Sequence, residues 1–167
     1  MMSSLKRFCR HLFSGPWLVR RYFSTSAMHH IEAAIEASER QHSGQIRFVV
    51  EPGLHPYSLI KGLSPRARAL EVFSALGIWD TAQNNGVLIY LLLADHDVEI
   101  VADRGIHHFA TDQLWASICH EMEHLFSQGQ FETGVLYGVE KIGQLLAQAF
   151  LADQANENEL PNQPVVL

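Results

Sequence analysis

The spacing of hydrophobic and polar positions changes along the chain and divides it into helices and strands. Apolar residues recur at helical spacing in four segments, and Ser64-Pro65 marks the start of one of them, because serine caps a helix and proline fits its first turn. Alternating or continuous apolar runs predict three strands. The predicted helices are 27–43, 64–76, 111–127 and 131–150, and the predicted strands are 45–51, 87–94 and 98–102.

The order of these elements predicts a topology. Because a helix separates the first two strands, we expect them to be parallel, and the continuous apolar run of the second one predicts a central strand covered on both faces. A two-residue turn at His96-Asp97, which would place Asp95 opposite Val98, predicts an antiparallel third strand. The sequence therefore predicts an α/β fold, a three-layer α/β/α sandwich with a small mixed sheet. The loop after the first strand leaves room for a short edge strand near 57–60.

Composition indicates one globular domain with distinct ends. The chain has 167 residues, of which 47% are hydrophobic and 18% are charged, and its two cysteines exclude a disulfide framework. The net charge of −6 argues against nucleic-acid binding. Five basic residues and no acid occupy 1–30, whereas the remainder is strongly acidic. We predict a basic aromatic arm over 1–26, an α/β/α domain over 27–151, and a polar, disordered tail over 152–167.

Several interpretations of the basic arm compete. Ser14-Gly15-Pro16 interrupts the only apolar stretch that resembles a secretion signal, and no run is long enough for a membrane-spanning helix. An organelle transit peptide, contact with an anionic membrane and a terminal helix packed on the domain all remain open. The expected location is cytoplasmic or peripheral to a membrane.

Several segments between residues 30 and 150 resemble the TPM domain family, also described as thylakoid acid-phosphatase-like domains. They are the stretch from Glu39 through Ser43-Gly44-Gln45-Ile46, the Arg66-Ala67-Arg68-Ala69 run leading to Phe73, 81–90, and 98–106. The resemblance implies an α/β/α fold. It also implies divalent-cation binding, acid phosphatase activity or an auxiliary membrane-associated role, because relatives differ in function.

The predicted topology brings three polar segments to one end of the sheet. The first two strands begin there and the third ends there, so Glu39, Asp80 and Asp103 are candidate metal ligands. Carboxylate, amide and hydroxyl oxygens suit Ca²⁺ or Mg²⁺, the cofactors we expect. Thr81, Asn84 and Asn85 would support such a site.

Two functions are compatible with this cluster. The first is a cation-binding auxiliary or interaction module at a membrane surface, in which 1–26 contacts anionic lipid; no protein partner is indicated. The alternative is a metal-dependent acid phosphatase acting on phosphomonoesters, in which Asp80 and Asp103 would serve catalysis. Arg66, Arg68 or Arg104 would neutralise the phosphate in such an enzyme. No P-loop or G-x-S-x-G nucleophile motif is present.

Two other sets of residues are weaker candidates. His120-Glu121-Met122-Glu123-His124 matches the zincin pattern H-E-x-x-H. The apolar face of the predicted helix centres on Ile118 and Met122, which places His120 and His124 opposite the core, so we predict only adventitious metal binding. The other end of the sheet carries Glu51, Asp95, His96 and Asp97, which we rank second because they resemble an ordinary turn and loop.

Overall fold

The fold of the protein is described by a computed structural model over residues 2–106, 108–151 and 158–167, with side chains from residue 5 onward. Eleven α-helices and β-strands are found in these residues, and a short 3-10 helix lies at Arg104–Ile106. In chain order the eleven elements are α1 (Met2–Leu12), α2 (Pro16–Tyr22), α3 (Thr25–Glu39), β1 (Gln45–Glu51), α4 (Pro56–Ile60), α5 (Pro65–Ala75), β2 (Gly86–Leu92), β3 (Asp97–Ala102), α6 (Asp112–Ser127), α7 (Phe131–Ala149) and β4 (Val165–Val166).

The sheet is mixed, and its strands lie in the order β3-β2-β1-β4. Strand β2 is parallel to β1 and antiparallel to β3, as the sequence predicts. The predicted register of the hairpin is wrong, because the connection has four residues rather than two. The strands close at Leu92 and Asp97, so Val87 pairs with Ala102. Consequently Asp103 lies opposite Gly86 at the very end of the sheet, and its N–H donates to the Gly86 carbonyl.

Helices cover both faces of the sheet, which confirms the three-layer sandwich. Alternate residues of β1 and β2 point to opposite faces, so Phe48 and Ile89 join one apolar cluster while Val49 and Tyr90 join the other. The larger cluster also contains residues of α2, α3, α6 and α7, and the smaller one contains residues of α5. Both middle strands are buried along their whole length.

Helix starts follow the local chemistry. The hydroxyls of Ser64 and Thr111 accept hydrogen bonds from the first turns of α5 and α6, as expected of caps. The short edge strand expected near 57–60 is instead the helix α4. Pro56 stands at its first position and His55 Nδ1 accepts from the Tyr57 N–H, and this capped, proline-led start favours a helical turn.

The predicted boundary between arm and domain at residue 26 is not a structural one. Val19 and Phe23 are each only 3% exposed and belong to the larger apolar cluster. The Phe23 ring contacts Phe48 and Phe131. Of the alternatives that the sequence leaves open for this segment, the structure shows helices packed on the domain.

The described part of the tail is also ordered, so the prediction of disorder is wrong there; 152–157 lie outside the described residues. Val165 and Val166 pair with β1 as a parallel edge strand, because β1 otherwise exposes a row of backbone groups. The buried Leu160 donates its N–H to Gln45 Oε1, and Arg47 donates to the Gln163 carbonyl.

None of the described helices combines the length and apolarity that a bilayer span requires.

Candidate functional site

The end of the sheet where β1 and β2 begin is built as the topology predicts. The loop before β2 packs against the turn that follows β3, and the N–H of Gly105 donates to the Asn84 carbonyl. A Cβ on Gly105 would lie 2.5 Å from this carbonyl oxygen and 2.6 Å from that of Gln83, so the close approach requires glycine. The segments carrying Asp80 and Asp103 are thus neighbours.

Glu39 reaches this end from the last turn of α3, but it serves the start of β1. Its Oε1 accepts the N–H of Ile46 at 2.7 Å, and Asn162 of the tail also bonds to the carboxyl group. The residue is 7% exposed. Burial raises the pKa of Glu39 to about 7, although the hydrogen bonds and the nearby Arg47 oppose this rise. A carboxyl group held in this way is a poor cation ligand at neutral pH.

Thr81 and Asn85 hold the loop to the sheet. The Thr81 hydroxyl accepts the Asn85 N–H at 3.0 Å, and Asn85 Nδ2 donates to the Ser43 carbonyl at 3.1 Å. Ser43 Oγ in turn donates to Gln83 Oε1. These contacts connect the beginnings of β1 and β2 and assign both supporting residues a structural task.

Two buried oxygens nevertheless remain without a hydrogen-bond partner among the described residues at this end, and they are Asn85 Oδ1 and Asp103 Oδ2. Asp103 Oδ1 accepts the Arg104 N–H at 2.6 Å, and Arg104 Nε donates to Asn84 Oδ1. A carboxylate and an amide oxygen are donors that Ca²⁺ and Mg²⁺ accept. However, no three His, Cys, Asp or Glu side chains in the described ranges form a metal-binding group. The three-carboxylate metal site stays a prediction. The two oxygens, of Asn85 and Asp103, would supply a bound cation with only two protein ligands.

The candidate phosphate-binding arginines are dispersed. Arg104 lies at this end, but Arg66 donates to the Ile100 carbonyl beside the middle of β3. Arg68 lies at the opposite end of the sheet, where its guanidinium forms two hydrogen bonds with Glu51 at 2.9 and 3.2 Å. The Tyr90 hydroxyl donates to the same carboxylate at 2.6 Å. Burial and this carboxylate raise the pKa of Tyr90 above its ordinary value.

At the opposite end of the sheet, Asp95 anchors helix α1. Its carboxylate contacts Arg7, Arg10 and His11 at 2.8, 2.6 and 3.1 Å. Although burial acts to raise the pKa of Asp95, the hydrogen bonds from His11 and Arg7 hold it well below its usual range. His11 Nδ1 also accepts the N–H of Leu54. The sequence ranks Asp95 second and does not connect it to α1, although Arg7, Arg10 and His11 share one helical face.

The other face of α1 is apolar and exposed. On α1, Leu5 and Leu12 lie on the side away from Arg7 and His11, and they are 66% and 55% exposed. Helix α4 packs beside α1 and carries two further exposed apolar side chains, Tyr57 and Ile60. We use the name apolar N-terminal face for the exposed apolar side chains of α1, α2, the loop between them and α4; they are Leu5, Leu12, Phe13, Trp17, Tyr57 and Ile60.

The two histidines of the H-E-x-x-H pattern are both exposed, as the helical arithmetic predicts. Ile118 and Met122, on the opposite face of α6, are buried in the larger cluster. His124 Nε2 lies 2.8 Å from Gln128 Nε2, one turn further along. A zincin site needs both histidines in a shared cleft with a third ligand, and this helix does not provide it.

Comparisons with known proteins agree with the α/β fold. The sequence profile of the TPM domain matches residues 20–145, three quarters of the chain. The chain belongs to the TPM domain family. No curated protein matches this TPM-domain chain significantly.

Solved structures of similar fold include the following three. The BA42 protein of the psychrophile Bizionia argentinensis is 30% identical with a TM-score of 0.76, and the alignment covers 87% of this chain and 95% of that one. The N-terminal domain of a P. gingivalis protein is 20% identical (TM-score 0.62, covering 77% and 78%). The N-terminal domain of the Corynebacterium glutamicum cg2496 protein is 15% identical (TM-score 0.55, covering 86% and 80%). The latter two support the fold alone.

Proposed function

We propose that this TPM-domain protein is an auxiliary module that docks on an anionic membrane surface through its apolar N-terminal face. The observation that carries the proposal is the exposure of large apolar side chains beside cations. Phe13 is 74% exposed, Trp17 is 55% exposed, and Ile60 is 76% exposed. Insertion of such side chains into the headgroup region of a bilayer is favourable and stabilises the bound state.

The charge around this face has the sign that anionic lipid requires. Lys6, Arg20 and Arg21 are exposed on α1 and α2, and Lys61 follows α4. No acidic residue precedes Glu32 in the sequence. Asp95 pairs with Arg7 and Arg10, which neutralises some of the charge but also orients α1 so that its apolar side points outward. Basic residues near an anionic surface contribute about 1 kcal/mol each.

Co-sedimentation with vesicles tests this proposal. We expect binding to phosphatidylcholine vesicles that contain phosphatidylserine, weakened by salt, and much weaker binding to phosphatidylcholine alone. Trp17→Ser and Phe13→Asp should each weaken binding about tenfold, since each removes an inserted aromatic side chain.

Matched variants separate this face from the rest of the surface. Trp79 is 54% exposed and lies on the loop after α5, so Trp79→Ser removes an equally exposed indole outside the face. Leu70→Asp likewise adds a charge to an exposed apolar position of α5. Neither control should affect binding. Equal losses in the Trp17 and Trp79 variants, or unchanged binding of Phe13→Asp, would show that another surface is responsible.

Divalent-cation binding at the Asp103 end is a second proposal, supported by the two unpartnered buried oxygens of Asn85 and Asp103. A cation there would bridge the loop before β2 and the turn after β3. Metal-assisted phosphatase activity would require such a cation as its Lewis acid, with Arg104 as the nearest candidate for the phosphate. Calcium or magnesium should raise the unfolding temperature of the wild-type protein but not that of Asp103→Asn. A loss of this shift in Asp80→Asn as well would favour the larger predicted site, and hydrolysis of a phosphomonoester that survives Asp103→Asn would refute the catalytic version.

A further inference from the structure

Strand β3 lies at one edge of the sheet and directs part of its backbone away from it. Because the Asp103 N–H bonds to Gly86 on β2, residues of the same parity in β3 also bond to β2. The backbone groups of Val98 and Ile100 therefore point outward. An edge of this kind is a template for another strand unless it is covered.

Side chains, and not a strand, meet these outward groups. The Val98 N–H donates to Glu123 Oε1 at 3.3 Å, near the long limit of a hydrogen bond. The Ile100 carbonyl accepts from Arg66 Nη1 at 2.6 Å, and the Ile100 backbone also bonds to the Cys119 thiol. The side chain of Arg66 is 50% exposed, so it can swing away when a better partner arrives. The edge is thus covered by side chains that an incoming strand could displace.

A groove of about 570 Å³ runs along this edge between α5 and α6, with Trp115 on its wall. Among the described residues, four carboxylates line it, and Arg66 is the only Lys or Arg that does. The negative field is strong enough to affect titration: burial, and after it the neighbouring Glu99 and Glu123, raise the pKa of Asp97 to about 6. The acidic lining residues are Asp97, Glu99, Asp112 and Glu123.

We propose that β3 accepts an extended, basic segment of a partner protein as an additional strand in this acidic groove. The backbone of the segment would take over the positions of Glu123 and Arg66 opposite Val98 and Ile100. Glu123 would be released from Val98, and Glu99 would be released from Arg66, which it contacts at 3.4 Å. Both carboxylates could then pair with lysine or arginine side chains of the segment. This inference does not depend on the membrane proposal, because it uses β3, α5 and α6 rather than the apolar N-terminal face.

Charge identifies the occupant. A second copy of this chain added edge to edge would bring the same four carboxylates against the first set, and like charges across an interface oppose pairing. A basic strand has the complementary charge. Its length is limited by β3, which has six residues, Asp97–Ala102.

The test uses a fluorescent peptide of alternating lysine and valine, about six residues long to match β3. We expect saturable binding in fluorescence anisotropy, with the largest amide shift changes in NMR spectra at Val98 and Ile100. The same peptide with alternate amides N-methylated keeps its charge but loses strand pairing, and it should bind at least about tenfold more weakly. A peptide with glutamate in place of lysine should not bind.

Two double variants carry the same change in charge. Glu99→Gln with Glu123→Gln removes two carboxylates from the groove and should weaken peptide binding about tenfold. Glu36→Gln with Glu140→Gln, on the exposed surfaces of α3 and α7, should not. If the N-methylated peptide binds as tightly as the unmethylated one, general electrostatic attraction explains the binding and strand addition is wrong. Absence of binding, equal losses in both double variants, or self-association of the protein through β3 would also overturn it.

Discussion

At the scale of single residues, the structure uses buried polar groups mainly as connectors between elements. Glu39 accepts the Ile46 N–H of β1, Asn85 donates to the Ser43 carbonyl before β1, and Asp95 holds α1 through His11. A buried polar group without a partner is costly, so each of these contacts also fixes where its element lies. Asp103 and Asn85 are notable because each retains one buried oxygen without a partner among the described residues.

Glu39 makes the stability of the protein depend on pH. Because burial raises its pKa from 4.5 to about 7, the folded state keeps a proton that the unfolded state releases in this window. Stability should therefore fall as the pH rises from 4.5 to 7. Glu39→Gln keeps the acceptor for Ile46 and should remove this part of the pH dependence, which amounts to as much as about 3 kcal/mol.

Urea unfolding at pH 4.5, 6 and 8 measures this dependence. The control is Glu36→Gln on the exposed side of the same helix, where Glu36 pairs with Arg40. This variant should follow the wild-type curve within about 0.5 kcal/mol. If wild type and Glu39→Gln show parallel pH curves, Glu39 is ionised in the folded protein throughout the range.

At the scale of elements, short local signals set most helix ends, and contacts between helices set their packing distance. Glycines of α7 allow neighbouring helices to approach closely. A Cβ on Gly138 would overlap Met122 of α6, and one on Gly143 would overlap the Ser38 hydroxyl of α3. Ser38 Oγ lies 2.9 Å from the buried His42 Nε2, so this contact also connects α3 to the loop before β1.

Gly143→Ala should destabilise the protein by about 1–3 kcal/mol, because the added methyl group forces α3 and α7 apart although alanine is the better helix former. Denaturant unfolding measures the loss. Gln144→Ala, at the exposed neighbouring position, serves as the control and should be close to neutral. Stabilisation by Gly143→Ala would mean that the two helices are not in close contact there.

At the scale of the whole molecule, both ends of the chain complete the sandwich. The N-terminal segment, with α1 and α2, contributes Val19 and Phe23 to the larger cluster. The C-terminal segment adds β4 and places Leu160 in the smaller cluster. The tail also reaches the candidate cation end, where Glu159 Oε2 accepts the Ala82 N–H. The ends are therefore part of the same cooperative unit as the sheet.

Ending the chain after Leu151 should lower stability by about 2–4 kcal/mol, since it exposes β1 and removes the buried side chain of Leu160. Hydrogen exchange should become faster at the Val50 amide of β1, which faces β4, while exchange in β3 changes less. The control Leu167→Ala should lose little, because it keeps the Leu167 N–H that donates to the Val50 carbonyl. Unchanged exchange at Val50 after the truncation would contradict the role of β4.

The sequence by itself determined helices α3, α5, α6 and α7 and the parallel–antiparallel order of β1, β2 and β3. Periodicity and capping residues such as Ser64 and Thr111 act over a few residues, and their effect is readable without neighbours. It also placed His120 and His124 on the outside of α6, since a helix fixes the angle between positions. The convergence of three polar segments at one end of the sheet followed from strand order alone.

Only the tertiary structure decided what those polar segments do and where the ends of the chain belong. The length of the β2–β3 connection, which set the position of Asp103, depended on Leu93 and Ala94 bonding to Glu51 and Pro52 of another segment. Three other contacts join residues of different elements. They are the hydrogen bond from Ile46 to Glu39, the ion pair between Arg68 and Glu51, and the pairing of β4 with β1. Such contacts depend on burial and edge pairing, which no periodicity encodes, so a polar tail became a strand and a basic arm became part of the core.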